Sequence, residues 1–183
     1  MPRIPVHTID SAPDETTATL QALAKRTGKV LNIHGEMAHS PVVMAAYSGI
    51  ADAIAQHGSF DARTREAIAL AVGAVDSCDY CQSAHTLSAT RAGLKEEQTI
   101  AIRRGDDDFD NKLAALLNVV REATRDVGNV DDTTWKIALD AGWTEHELTE
   151  AFAHLAVNLF TNYFNHYVGT ELDVPAAPEL IAP

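Results

Sequence analysis

The sequence has little of what most specialised surfaces and scaffolds require. It holds two cysteines in 183 residues, too few for a disulfide framework. Aromatic residues make up 6%. Of seven prolines, only Pro41 lies between residues 14 and 174, so the interior is almost free of helix breakers. Basic residues number 14 against 26 acidic ones, a formal charge of -12. That balance excludes a nucleic-acid or anionic-membrane surface, which needs clustered Lys and Arg. No apolar run approaches the roughly 20 residues that span a bilayer. No Gly-rich phosphate loop or dinucleotide fingerprint is present, so no cofactor is expected. The stretch Met1–His7 has no apolar core of the kind a signal peptide carries. The expected location is therefore the cytoplasm, where two cysteines spaced C-x-x-C suit redox chemistry or metal binding better than a structural bridge.

What is present reads as one helical domain. Hydrophobic residues are 46% and charged residues 22%, within the globular range, and the length suffices for a sizeable core. Apolar residues recur at spacings of three and four, and strand signals are weak, so the class is all-α. Helices are expected at 14–27 (capped by Asp14), 30–39, 41–57 (Ser40 as cap, Pro41 at the first position), 62–76 (capped by Asp61) and 78–92 (capped by Ser77). Further ones are expected at 95–104, 110–126, 132–141 and 144–168, the last opening with the capping box Thr144-x-x-Glu147. The tail from Asp173 holds three prolines and reads as an extended arm.

Residues 61–93 and 110–142 share a length and a pattern: apolar helix, break, second helix, Ala-Gly, large apolar residue. Arg91-Ala92-Gly93-Leu94-Lys95-Glu96 pairs with Asp140-Ala141-Gly142-Trp143-Thr144-Glu145, which suggests a duplicated helical hairpin. At that offset Cys78, Cys81, His85 and Glu66 fall on Val127, Val130, Thr134 and Ala115, so one copy carries chemistry and the other is scaffold. The division expected within the single domain 1–183 is a redox-motif half at about 30–105, a scaffold half at about 109–173, and the tail.

On one helix, Cys78, Cys81 and His85 follow at i, i+3 and i+7 and share a face. A spacing of three puts two Cα atoms about 5 Å apart, within disulfide range. The helix N-terminus favours a thiolate at Cys78, whereas the imidazole one turn beyond Cys81 favours that thiol. The residues alone leave the nucleophile open. Glu66, on the preceding helix, is placed to orient or relay protons through His85. The plainer readings are two buried small hydrophobes, a metal site that needs a fourth ligand from Glu66 or a distant His, and, for Glu66, an ion pair with Arg63 or Arg65.

The spacing Glu66-x11-Cys78-x2-Cys81-x3-His85 resembles the AhpD-like alkylhydroperoxidase group within the carboxymuconolactone decarboxylase superfamily, best over residues 40–125. The resemblance implies an all-helical AhpD-like fold, a homo-oligomer (trimer or hexamer), and thiol-dependent reduction of hydrogen peroxide or organic hydroperoxides. It implies Cys81 as the peroxidatic thiol, Cys78 as the resolving one, His85 and Glu66 as the proton relay, and a lipoyl, thioredoxin-like or other dithiol reductant as partner. One position departs: known members place His just before the second cysteine, and here it is Tyr80, which cannot serve as a base near neutral pH. The alternatives are a non-redox lyase or isomerase of the decarboxylase type and a metal-binding helical oligomer without turnover. Asn158, Asn162 and His166 recur every four residues on the last helix, and with Tyr80 they are candidate pocket residues. A solvated stripe is the other reading. His34 and His39 read as helix-end histidines.

Overall fold

A computed structural model describes residues 2–180. Among them the secondary structure is helical, with no strand: α1 Asp14–Thr27, α2 Asn32–Met37, α3 Pro41–His57, α4 Ala62–Val75, α5 Asp79–Arg91, α6 Glu96–Arg104, α7 Asn111–Arg125, α8 Asp132–Asp140 and α9 Glu145–Val168. The expected caps act at Ser40 and Asp61, the Thr144–Glu147 box is formed, and Asp110, expected inside a helix, caps α7. Two caps differ from expectation. Asp14 is the first helical residue of α1, after Pro13. At α5 the cap is Cys78, not Ser77.

α4 runs through the middle, packed by α5, α6, α7 and α9. Ala67 to Val72 are all buried, the pattern of a helix covered on every side. The main core joins α4–α9 around Leu70, Leu116 and Leu117, with Phe60 set edge-on to Trp143 at 5.6 Å between ring centres. A second core lies under α1–α3, where Leu20, Leu23, Ile33, Met37 and Met44 pack on Cys78, Tyr80 and Cys81. The three N-terminal helices thus form the roof over the thiols. Both chain ends fasten this roof. Arg3 donates from its backbone to Val168 O at 2.7 Å and from its guanidinium to His166 O, satisfying carbonyls at the end of α9. Glu36, fully buried in α2, accepts the Thr170 hydroxyl at 2.5 Å. The C-terminal arm is described to residue 180, so Pro183 lies outside the described residues; as far as 180 it holds no helix and lies along α5 and α6, where Asp173 accepts from Tyr80, Ala177 N–H donates to Ser83, and Arg103 donates to Pro178 O.

The repeated hairpin is visible in the backbone. α4–α5 and α7–α8 each begin on an aspartate cap, and each leaves its first helix through a non-glycine residue in the left-handed region, Ser77 (φ 53°) and Val127 (φ 55°). The next N–H closes back five residues, Cys78 to Gly73 and Gly128 to Ala123, a Schellman turn that usually takes glycine. Both hairpins end on a left-handed glycine, Gly93 or Gly142. They differ where the chemistry lies. α5 starts at once after its turn, whereas α8 starts at Asp132 after a loop, so the helical turn that carries Cys81 has no counterpart in the second hairpin.

α6, α7 and the loop between them are joined by a buried ion pair. Arg121 meets both oxygens of Asp107 at 2.5 and 3.0 Å and donates to Ile102 O at 2.7 Å, with both residues under a tenth exposed. Replacing Arg121 by alanine leaves the Asp107 carboxylate buried without a counter-charge. The expected loss of stability is about 3–5 kcal/mol, read from the shift in urea midpoint, and a loss within about 0.5 kcal/mol would be the surface-residue result.

Candidate active site

The reactive pair sits where the α4–α5 turn delivers it. Ser77 holds a left-handed conformation that costs an L-residue about 1–2 kcal/mol, and this reversal sets Cys78 at the N-terminus of α5. The Cys78 sulfur does the work usually left to Ser, Thr, Asp or Asn, accepting from the Cys81 N–H at 3.2 Å. The two sulfurs share a hydrogen bond at 2.6 Å and are otherwise enclosed, Cys78 being 1% exposed and Cys81 3%. Both are free thiols. The Cys81 thiol, with help from its backbone N–H and from Asn165, lowers the Cys78 thiol to about 7 against the opposing pull of burial. The proton that remains is held on Cys81, whose pKa is raised by Cys78 and by burial. Such a pair loses its first proton as a unit, and here it does so close to neutral pH.

α9 supplies the third side. Asn165, buried, points its amide N–H at the Cys81 sulfur at 3.1 Å and at the Cys78 sulfur at 3.8 Å, and its Oδ1 is a buried acceptor without a partner among the described residues. An amide donor favours thiolate over thiol. Asn162 donates to Asp76 Oδ2 at 2.8 Å, and His166 Nε2 donates to Asp76 O at 3.0 Å. These two hold the turn that carries Cys78. Asn158 is buried and donates to His154 O. The stripe is therefore structural and mostly interior. A solvated stripe is contradicted for Asn158 and Asn162, because both sit among packed helices.

On the adjoining face, Glu66 Oε2 and His85 Nδ1 meet at 2.8 Å, with side chains 25% and 29% exposed. Burial pulls the His85 pKa down, but the hydrogen bond and charge of Glu66 and the charge of Cys78 outweigh it, and the net shift is upward. Arg63 pairs with Asp110 instead, so the plain ion-pair reading of Glu66 with that arginine does not hold. With Nδ1 engaged by Glu66, Nε2 is the nitrogen left to exchange protons. Among the described residues, no hydrogen bond joins His85 to either sulfur. The pair Glu66–His85 instead opens on a cavity of about 290 Å³ between α3, α4, α5 and α9, whose wall includes Thr161, Asn158, Tyr47, Arg26 and Arg65. The Thr161 hydroxyl also contacts the Cys81 sulfur. Neither cysteine lines the cavity; Cys81 approaches it through Thr161.

Tyr80, Asn162 and His166 do not line this cavity. Tyr80 is buried and donates to Asp173 Oδ1 at 2.7 Å, while Lys29 holds the other oxygen at 3.0 Å. Its phenol is a latch for the C-terminal arm. Burial, with Asp173 as a further cause, raises its pKa, so it supplies no base. His39 binds Pro5 O at 2.8 Å, and His34 is enclosed beside Tyr47, its pKa lowered to about 4 by burial. Among the described residues no three His, Cys, Asp or Glu side chains converge as a metal site. Asn165 and Thr161 were missed in the sequence. Asn165 follows Asn158 by seven residues and Asn162 by three, a spacing that tracks one helix face better than strict steps of four.

Residues 41–125 match the carboxymuconolactone decarboxylase family. No curated protein matches the chain. The fold is similar to that of a protein titled alkylhydroperoxidase AhpD core, an uncharacterized peroxidase-related protein from Ralstonia eutropha JMP134, with TM-score 0.84 and 20% identity over 94% of this chain and 92% of that one. It is similar also to an uncharacterized peroxidase-related protein from Silicibacter sp. TM1040, with TM-score 0.75 and 16% identity over 93% and 91%. The debrominase Bmp8 shares the fold too, with TM-score 0.77 and 20% identity over 92% and 90%. The segment 41–125 thus carries the likeness to the carboxymuconolactone decarboxylase family, and the helical fold over nearly the whole length is like that of the AhpD-core protein.

Proposed function

We propose that this protein is a thiol-dependent peroxidase that reduces hydrogen peroxide or an organic hydroperoxide through the Cys78–Cys81 dithiol. One observation carries the reading: two buried cysteine sulfurs in mutual hydrogen-bond contact lie beside a Glu66–His85 pair that opens on a cavity. In the reaction, the proton shared by the sulfurs shifts to Cys78 and the Cys81 thiolate attacks the terminal peroxide oxygen. The S–O bond forms as the O–O bond breaks, and the leaving alkoxide takes a proton from protonated His85. Cys81 is then a sulfenic acid. Cys78 attacks it, the disulfide forms, and hydroxide leaves with the Cys78 proton as water. A dithiol donor, lipoyl or thioredoxin-like, exchanges with the disulfide and restores both thiols.

The family segment and the AhpD-like neighbours support the coarser reading of an enzyme in this superfamily. The cytoplasmic, reducing setting belongs to the proposal. No helix among the described residues is long and apolar enough to cross a membrane. A homo-oligomer, trimer or hexamer, is also part of it, supported by the large apolar side chains that α9 presents outward at Phe152, Tyr163 and Tyr167. Peroxide consumption by the purified protein with a dithiol reductant tests the reading. Turnover that requires both cysteines is expected. Absence of turnover with both thiols reduced would contradict it, and a reaction surviving in the doubly Cys→Ser variant would point to the lyase or isomerase alternative.

A further inference from the structure

The cavity is too large for hydrogen peroxide alone. Its volume of about 290 Å³ is roughly ten times the 30 Å³ a water molecule occupies in the liquid, so a substrate that fills it carries an organic body. Its wall is divided. Ile54 of α3 and Val157 of α9 are apolar, and Tyr47 adds a half-buried ring stacked on Phe160 at 6.5 Å. Against these stand two arginines, Arg26 from α1 and Arg65 from α4. In a chain of formal charge -12 with 14 basic residues, two guanidinium groups on one cavity are a local reversal of sign.

Neither guanidinium has a hydrogen bond or a salt bridge with a carboxylate among the described residues. The nearby carboxylates are committed elsewhere: Glu66 to His85, Asp61 to the Thr64 N–H at the start of α4, and Glu150 to the Ser59 hydroxyl and the Ser59 and Phe60 amides. Arg65 lies within electrostatic reach of Asp61, but that oxygen pair already caps a helix. His154, which also faces the cavity, is enclosed and bonded to Glu150. The wall therefore offers two planar cationic forks and an apolar body site, in the same cavity as the relay. That is the complement of an amphipathic anion, and planar carboxylate is the group a guanidinium fork fits in two hydrogen bonds.

We propose that this cavity binds an organic hydroperoxide that bears a carboxylate, its carboxylate held by Arg26 and Arg65 and its apolar body lying against α3 and α9. The hydroperoxide end then faces His85 and Thr161, on the Cys81 side. The identity of the reaction rests on the peroxidase reading, but the anion site does not. The two arginines come from helices on opposite cores, α1 in the roof and α4 in the main body, so a bound carboxylate also ties the roof to the body.

Equilibrium binding of two unreactive probes to the reduced protein tests the site. These are 4-isopropylbenzoate and its neutral counterpart 4-isopropylbenzamide, followed by calorimetry at low and high salt. The carboxylate is expected to bind at least about tenfold more tightly at low salt, with the advantage shrinking as salt rises. Arg26→Ala and Arg65→Ala are each expected to remove most of the preference, and the Lys variants to keep part of it. Equal affinity for the two probes, or a preference that survives both alanine variants, overturns the proposal. If an alanine variant fails to fold, the salt dependence and the Lys variants decide. The kinetic arm compares cumene hydroperoxide with the same hydroperoxide carrying a para carboxylate, with a higher kcat/KM expected for the acid. Probe binding without peroxide turnover would sink the peroxidase reading and leave the anion site. Turnover without carboxylate preference would do the reverse.

Discussion

Cys81→Ser is expected to abolish peroxide consumption, with a loss of at least about a thousandfold, the scale of removing a nucleophile. Cys78→Ser is expected to behave differently. Its product is a Cys81 sulfenic acid that persists and can be trapped by a 1,3-dione. One turnover is kept and multiple turnovers are lost. The distinction follows from where each sulfur stands. Cys81 lies one turn before His85 on α5 and meets Thr161 of the cavity wall, whereas Cys78 caps α5 and accepts from the Cys81 N–H and, at 3.8 Å, from Asn165. Serine at 78 still offers an oxygen for the cap, so the helix start survives. The electrostatics at rest favour a thiolate on Cys78, and this is the point at which the assignment is exposed. If trapping labels residue 78 in the Cys81→Ser variant while peroxide consumption continues, the two roles are reversed.

Glu66→Gln is expected to lower the rate by about a hundredfold, within the range of general acid–base groups, and to move the alkaline limb of the pH profile. Glutamine still accepts the Nδ1–H, so the ring keeps its place, and only the charge is lost. With Glu66 in place the His85 pKa lies above the ordinary value of about 6.5. Removing the charge leaves burial as the dominant influence, and the pKa falls. The protonated ring that serves the leaving alkoxide is then lost at lower pH, so the limb shifts to lower pH while the maximum rate drops. The stability consequence has its own sign. A histidine whose folded pKa is raised adds stability below about pH 6.5 and loses it as pH rises through the folded value, so Glu66→Gln is expected to destabilise chiefly in mildly acidic solution. An unmoved limb would mean that Glu66 does not tune His85.

Much of this was legible in the sequence because helix ends are written locally. Ser40-Pro41, Asp61 and the Thr144–Glu147 box each fix a start through one short hydrogen bond, and Gly28, Gly93 and Gly142 mark stops through the left-handed conformation. The failures share a cause. Ser77 looks like a cap, but it occupies the left-handed position of a Schellman turn, where glycine is the residue a sequence reader expects, and the cap passes to Cys78, a residue type that rarely caps. Asp14 looks like a cap but follows Pro13, which already holds the extended backbone that precedes a helix.

At the site, Glu66, Cys78, Cys81 and His85 lie close in sequence on two consecutive helices, and the structure brings them together in two adjoining pairs, Cys78–Cys81 and Glu66–His85. Asn165, Thr161, Arg26 and Tyr47 reach it from α9, α1 and α3. Their roles depend on tertiary packing between helices distant in the chain, and no local pattern encodes it. Tyr80 illustrates the opposite error. Its position between the cysteines suggested pocket chemistry, yet its partner is Asp173 in the C-terminal arm.

The central claim is that Cys78 and Cys81 form a redox dithiol that peroxide closes. Its most direct test is a thiol titration of the protein before and after one equivalent of peroxide, with peptide mapping of the product. The account predicts two titratable thiols falling to none and a Cys78–Cys81 disulfide within one chain. Two thiols that survive peroxide, or that bind stoichiometric zinc instead, would contradict it.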